Sequence, residues 1–104
     1  MTYRVRYHQR ANDDLRRING WITEFSGQQV ARRKLLEIRA SIRKLSVFPH
    51  RGARRDQILP GLRLLPVDDQ TVASYVIDEA NGEVLVLTVS YAGSDWMTRS
   101  LERS

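Results

Sequence analysis

Cysteine is absent from this chain of 104 residues, and the absence limits the sites that it can form. Without a thiol there is neither a disulfide framework nor a thiolate metal site, so the fold must rest on packing. The sequence also lacks a glycine-rich phosphate loop and a set of His, Asp and Glu with metal-ligand spacing. We therefore expect no cofactor and no metal.

Long apolar runs are missing too, and none approaches the roughly 20 residues that a membrane-spanning helix needs. Residues 1–7 alternate charged and apolar side chains instead of forming the apolar block of a signal peptide. Hydrophobic residues make up 41% of the chain and charged residues 28%, which is ordinary for a globular domain. The sequence predicts one cytoplasmic domain over residues 1–104, without a membrane partner.

Positive charge is concentrated in the first part of the sequence. Residues 1–66 contain 15 Lys and Arg against 5 Asp and Glu, a balance of +10, whereas residues 67–104 contain 2 against 7, a balance of −5. Such a division favours an anionic partner for the first part, either nucleic acid or an acidic protein segment. A basic surface that is merely solvated explains the charges equally well.

Periodicity predicts a strand followed by two helices. Tyr3, Val5 and Tyr7 alternate with arginines, as in a strand near a sheet edge. Apolar residues then recur in steps of three and four through two stretches, which indicates two amphipathic helices joined by a turn at residues 26–27. The stretches are Ala11, Leu15, Ile18, Ile22, Phe25 and Ala31, Leu35, Ile38, Ile42, Leu45.

Three residues outside the apolar stripe of the first helix bear on its stability. Asp13 and Asp14 come early, where acidic groups complement the helix dipole. Gly20 lowers helix propensity by about 1 kcal/mol relative to alanine, so it either admits a neighbouring backbone or marks a weak point.

Three strand patterns follow, over residues 62–67, 71–77 and 84–91, and their short connections predict an antiparallel meander. The last of them is apolar on both sides and should lie centrally. The predicted fold is α+β, with an N-terminal strand and an antiparallel helical hairpin packed on an antiparallel sheet. The sheet ends in the three-stranded meander, and a short C-terminal helix follows it.

This order resembles the RelE/ParE superfamily of bacterial type II toxin–antitoxin toxins, over nearly the whole chain. Four stretches carry the likeness through their order and spacing: Ala11 with Asp14, Leu15 and Ile18; residues 45–49 with Gly52; residues 61–67 followed by 74–78; and residues 89–95. The resemblance implies the fold above. It also implies a cognate antitoxin, normally encoded beside the toxin.

Two activities occur in this superfamily. RelE-like members cleave mRNA on the ribosome, which needs a proton acceptor, cations at the phosphate and a proton donor. In an alignment with them, Thr71 replaces an arginine, and Ala92 and Gly93 stand where a closing basic residue would fall. ParE-like members poison DNA gyrase by binding the enzyme and its DNA, and residues 61–75 resemble their pattern more closely. Thr88 and Tyr91 depart from the arginine and histidine often found in their closing strand.

The resemblance therefore implies a protein inhibitor of gyrase instead of an enzyme, with Arg63 and Tyr91 as the only catalytic candidates. The implied target-binding residues are Arg51, Arg54, Arg55, Arg63, Tyr91 and Trp96. Two alternatives stay open: a ribosome-dependent endoribonuclease using Arg51, Arg54, Arg63 and Tyr91, and a basic binding module without toxicity.

Each candidate also has a plain structural interpretation. Tyr91 fits a core aromatic with its hydroxyl at the rim. Arg63 fits a surface ion pair with Asp68 or Asp69. The others fit ordinary surface residues, and these are Arg51, Arg54, Arg55, His8 and His50.

The second helix indicates where an antitoxin would bind. Arg32, Arg39 and Arg43 fall opposite its apolar stripe and, with Lys34 and Lys44, make that side strongly basic. An acidic, partly disordered antitoxin of the ribbon-helix-helix type, able to hold the complex on DNA, could wrap the helical hairpin and add a strand to the sheet. Arg32, Arg39 and Arg43 are the predicted antitoxin contacts.

Overall fold

Two helices pack on one face of a five-stranded sheet in the structure, a computed structural model that describes residues 2–91. The helices are α1 (Gln9–Ser26) and α2 (Gln28–Arg43). The strands are β1 (Arg4–Tyr7), β2 (Ala53–Arg54), β3 (Arg63–Pro66), β4 (Thr71–Asp78) and β5 (Glu83–Tyr91), in the spatial order β1-β5-β4-β3-β2. Short 3-10 helices over Lys44–Ser46 and Pro49–Arg51 connect α2 to β2. The predicted α+β fold and its meander are confirmed.

The sheet differs from the predicted one in two details. β1 runs parallel to β5, so the sheet is mixed instead of antiparallel throughout. β2 is a two-residue strand outside the stretches with a predicted strand pattern, and it pairs with β3. The first pairing joins segments distant in sequence, which local periodicity does not specify. The second joins two strands separated only by residues 55–62, but a strand of two residues is too short to show a period. The predicted C-terminal helix lies outside the described residues.

The core lies between the helices and the sheet. α1, α2 and the 3-10 helix Lys44–Ser46 bury most of the apolar stripes that periodicity predicts. Leu35 is half-buried, and Phe25, in the last turn of α1, is 81% exposed. The sheet contributes alternating residues from its four longer strands, with Tyr75 the largest of those fully buried. Gly27, at a φ of 93°, allows the chain to pass from one helix into the next through a single residue.

The acidic residues of α1 do not serve the helix dipole as predicted. α1 begins at Gln9, and its first turn contains no acidic residue, so Asp13 and Asp14 lie beyond the range of that effect. The N-cap is His8, whose Nδ1 accepts the Arg10 N–H at 3.0 Å. Asp14 instead reaches the sheet, where its Oδ2 accepts the Val89 N–H at 2.9 Å.

An ion pair ties α2 to the turn between β3 and β4. Lys34 Nζ lies 2.9 Å from Asp68 Oδ2, and the side chains are 24% and 31% exposed. Partial burial alone would raise the pKa of Asp68, but the hydrogen bonds from Lys34 and from the Gln70 N–H hold it below its ordinary value. The contact with Asp68 raises the pKa of Lys34 in turn.

Replacement of this lysine, Lys34→Met, should lower the free energy of unfolding by about 1 kcal/mol at pH 7, the upper end for a solvent-screened pair. The lowered pKa of Asp68 means that the pair stabilises the fold above about pH 4 and that this contribution is lost as the pH falls further. Urea titrations at pH 7 and pH 3 measure the difference. An equal loss at both pH values would contradict the ion pair, and Arg33→Met is the matched control because Arg33 is exposed and lacks a carboxylate partner within residues 2–91.

Candidate functional site

The loop after α2 contains Arg51, and side chains of the sheet hold its backbone in place. The buried hydroxyl of Tyr75 donates to Pro49 O at 2.7 Å and accepts the Gly52 N–H at 2.8 Å. Burial raises the pKa of this hydroxyl, so it stays protonated and can donate and accept at once. Arg63 Nη1 donates to His50 O at 3.0 Å and to Gly52 O at 2.7 Å. Two sheet residues therefore fix the path of residues 49–52.

Gly52 is the point of closest approach between this loop and the sheet. A Cβ atom at this position would lie 2.7 Å from Tyr75 Oη and 2.9 Å from Leu64 O, closer than real Cβ contacts. Its φ of −72° is open to any residue, so the requirement for glycine is one of space. The structure thus explains why a glycine follows the short 3-10 helix Pro49–Arg51.

The three loop arginines differ in what they contact. Arg54 pairs with Asp56 at 3.0 Å, and Arg55 Nη1 donates to the carbonyl of Arg54 at 2.8 Å. The Gly61 N–H and the Arg54 guanidinium lower the pKa of Asp56, which keeps that partner charged. Arg51 is exposed, and its guanidinium has no ion-pair partner in the described part of the chain. Of the three loop arginines, Arg51 therefore has the guanidinium most available to bind an anionic partner.

Arg63 and Tyr91, the two catalytic candidates, do not converge on one site. Arg63 donates its hydrogen bonds to the loop carbonyls of His50 and Gly52. The predicted ion pair with Asp68 or Asp69 is therefore wrong. Tyr91 packs its ring against the core and donates its hydroxyl to Gln70 Oε1 at 3.2 Å, beside the turn between β3 and β4. Trp96, the remaining target-binding candidate, lies outside the described residues, as do Ala92 and Gly93.

The sheet face opposite the helices carries hydroxyl and aliphatic side chains along β4 and β5. A register shift pairs Ser74 with Thr88 and Tyr75 with Val86, which leaves Leu87 as the bulged residue. The hydroxyls of Ser74 and Thr88 bond to each other across the strands at 2.5 Å. Thr71, where the RelE-like pattern has an arginine, is fully buried on the core side.

A histidine–carboxylate contact that the sequence did not indicate lies beside the loop. His50 Nε2 is 2.9 Å from Glu79 Oε1, and Tyr3 Oη donates to Glu79 Oε2 at 2.7 Å. The hydrogen bond from Tyr3 and, to a smaller extent, that from His50 lower the pKa of Glu79. The bond between Tyr3 and Glu79 also raises the pKa of the Tyr3 hydroxyl. His50 and Glu79 are 29 positions apart, so their spacing carried no local signal. Within residues 2–91, no three histidine or carboxylate side chains cluster as a metal site would require.

A groove between β1 and α2 contains two of the three predicted antitoxin contacts. Arg39 stacks over the Tyr7 ring at 5.5 Å from its centroid, and Arg39 and Arg43 line a cavity of about 290 Å³ with Val5 and Ser46. Arg32 lies on the same side of α2, at helical spacings of seven and eleven residues from them.

β1 forms the wall of this groove and is an edge strand. Arg4 N donates to Gly82 O at 2.9 Å and His8 N to Val86 O at 2.8 Å, so these alternate residues face β5. The backbone groups of Val5 and Tyr7 therefore point away from the sheet, where another strand could pair with them.

Comparison of the sequence with known protein families identifies the family of this chain. Residues 5–96 match the sequence profile of a family described as the ParE toxin of the type II toxin–antitoxin system parDE. The chain belongs to the ParE toxin family. It is thus the toxin of a type II toxin–antitoxin system, with the fold shared by ParE and RelE toxins. A search of curated proteins found no significant match.

Solved toxin structures share the fold of this ParE-family toxin, and three of them illustrate the likeness. A chain of the chromosomal ParDE system from P. aeruginosa superposes with a TM-score of 0.75 at 20% identity, covering 88% of this chain and 97% of that one. A chain of the RelBE2 toxin–antitoxin complex from Mycobacterium tuberculosis gives 0.66 at 22% identity, covering 90% and 95%. A substituted E. coli RelE toxin in the free state gives 0.55 at 17% identity, covering 99% and 98%. In this ParE-family toxin, neither α1 nor α2 is long and apolar enough to cross a membrane.

Proposed function

We propose that this ParE-family toxin inhibits DNA gyrase by binding the enzyme and its DNA. The observation that carries the proposal is that the described sheet has no phosphate clamp at Thr71, where the RelE-like pattern has an arginine. Thr71 is buried, and the nearest candidate cation of the sheet, Arg63, is bonded to loop carbonyls. An inhibitor that acts by binding needs no general base, so this arrangement supports the gyrase branch.

The loop at residues 49–55 supports a binding role because it is rigid and positively charged. Tyr75 and Arg63 fix its backbone before any partner arrives, which reduces the entropy lost on binding. Arg51 projects from the fixed segment without an ion-pair partner within residues 2–91. We infer that Arg51 makes the first contact with the target, with Arg54 and Arg55 beside it.

A supercoiling assay tests this proposal. The purified chain, added in excess to gyrase and relaxed plasmid, should prevent the appearance of supercoiled DNA. Arg51→Ala should raise the concentration needed for half inhibition about tenfold, since a charge-assisted contact contributes about 1.5–3 kcal/mol. Arg16→Ala is the matched control, because Arg16 pairs with Asp13 on α1 and should not affect inhibition. Full supercoiling at large excess of the wild-type chain would refute the proposal.

The ribosome-dependent endoribonuclease remains the alternative within the family. It would need Arg51, Arg54, Arg63 and Tyr91 to act on one phosphate, yet Arg63 contacts the loop and Tyr91 contacts the turn after β3. Toeprinting on translating ribosomes distinguishes the two activities, because codon-phased cuts would establish the nuclease. Expression without growth arrest would instead favour a non-toxic binding module.

We also propose that the cognate antitoxin binds the groove between β1 and α2. The groove combines the open backbone edge of Val5 and Tyr7 with the cations Arg39 and Arg43. Leu36, 61% exposed on the same side of α2, adds an apolar contact. An acidic, partly disordered segment could pair with the edge of β1 as a strand and lay an amphipathic helix on α2.

Charge reversal in this groove should weaken the toxin–antitoxin complex. We expect Arg43→Glu to raise the Kd for the product of the adjacent reading frame about tenfold, with similar effects for Arg32→Glu and Arg39→Glu, because opposite charges become like charges at the interface. Calorimetric titration at moderate salt measures the change. Arg33→Glu alters the same net charge on another side of α2 and should have little effect, and equal affinities for all four variants would exclude this groove.

A further inference from the structure

An exposed aromatic residue lies at the junction between α2 and the loop. Phe48 is 63% exposed and its neighbour Val47 is 55% exposed. With Lys44, His50 and Arg51 they line a concavity of about 630 Å³, which is within the usual size of ligand sites. We call this surface, residues 44 and 47–51, the Phe48 patch.

The backbone of the Phe48 patch is fixed on both sides of the aromatic residue. The N–H groups of Val47 and Phe48 bond to the carbonyl of Lys44 at 3.1 and 3.0 Å. The next residue, Pro49, is buried, and its carbonyl accepts the Tyr75 hydroxyl. Phe48 is therefore presented to solvent by an ordered turn, which lowers the entropy lost when a ligand binds to it.

The cations of the Phe48 patch are available to a ligand. Lys44 and Arg51 are exposed, and neither has a carboxylate within ion-pair distance in the part of the chain that the structure describes. The nearby carboxylate of Glu79 is already occupied by His50 and Tyr3. The patch thus contains an exposed aromatic residue, Phe48, with an available cation before it in the sequence, Lys44, and another after it, Arg51.

We propose that the Phe48 patch binds single-stranded nucleic acid, with a base stacked on Phe48 and the flanking phosphates bound by Lys44 and Arg51. An exposed aromatic between unpaired cations is the arrangement by which proteins bind unpaired strands, because every base has a face to stack and every nucleotide a phosphate. A duplex offers no exposed base face to Phe48. The proposal does not depend on gyrase being the target.

Fluorescence anisotropy of a labelled oligo-dT of about 12 nucleotides, titrated with the purified full chain, tests the proposal. Phe48→Ala should weaken binding roughly tenfold, and Phe48→Tyr should retain it, because the stacking surface is kept. Phe25→Ala is the matched control, since Phe25 is 81% exposed at the end of α1 and away from the patch in sequence. The melting temperature of each variant verifies folding.

Salt dependence tests the cations of the patch separately. Lys44→Gln and Arg51→Gln should each reduce the slope of log K against log salt by about 0.7, whereas Arg16→Gln should leave it unchanged. Equal affinity for duplex DNA with no effect of Phe48→Ala would overturn the proposal in favour of charge attraction alone. Failure to bind the oligonucleotide, together with Phe48-dependent binding of an acidic apolar peptide, would overturn it in favour of a protein partner.

Discussion

Gly52→Ala should lower the free energy of unfolding by about 3 kcal/mol. The added methyl group would lie 2.7 Å from Tyr75 Oη and 2.9 Å from Leu64 O, and neither the buried ring nor the backbone can move without disturbing the sheet. Overpacking of this kind costs about 1–3 kcal/mol. Displacing Tyr75 also weakens its hydrogen bonds to Gly52 and Pro49, at a further cost of about 1 kcal/mol or more.

Gly20→Ala is the matched control for this substitution. Gly20 lies inside α1, and a Cβ atom there would meet nothing within 4 Å. The same glycine-to-alanine change should therefore stabilise the protein by up to about 1 kcal/mol through helix propensity. Urea titrations of both variants measure the difference, and a Gly52→Ala variant as stable as the wild type would contradict the close approach of loop and sheet.

Asp14→Ala should cost about 2 kcal/mol of unfolding free energy. β1 pairs with β5 only as far as Val86, so the Val89 N–H lies beyond that pairing and is satisfied by Asp14 Oδ2. Removal of the carboxylate leaves this partly buried donor without its acceptor, which costs about 1–3 kcal/mol. Hydrogen exchange at Val89 should accelerate as well.

Asp14→Asn and Asp13→Ala distinguish this contact from general charge effects. The asparagine keeps an oxygen acceptor and should retain part of the stability. Asp13 pairs only with Arg16 and Gln9 at the surface, so its loss should leave the unfolding midpoint almost unchanged. Equal effects of Asp13→Ala and Asp14→Ala would show that Asp14 acts through its charge alone.

Local periodicity predicted the elements because each helix and strand buries one regular stripe. Ala31, Ile38 and Ile42 of α2 are all fully buried, at the spacing read from the sequence. Phe25 continues the stripe of α1 but is exposed in its last turn, since periodicity does not show where the packing partner ends. Element type and order follow from short-range patterns, and the extent of burial does not.

The site was harder to predict because its contacts join distant residues. Asp14 bonds to Val89 across 75 positions and His50 to Glu79 across 29, and no spacing rule indicates either pair. The positive charge of Arg63 suggested a phosphate contact or an ion pair, whereas the folded loop supplies carbonyl acceptors. Every residue has a backbone carbonyl, so the identities of His50 and Gly52 do not indicate that they accept hydrogen bonds from Arg63.

The central claim, that this ParE-family toxin acts on gyrase, is tested most directly by trapping the DNA that gyrase has cut. Gyrase and supercoiled plasmid are incubated with the purified chain, the reaction is stopped with detergent, and linear plasmid is measured on a gel. The account predicts that linear DNA accumulates with the wild-type chain and less with Arg51→Ala. No linear DNA above the level of gyrase alone, with codon-phased cuts in mRNA from the same preparation, would contradict it.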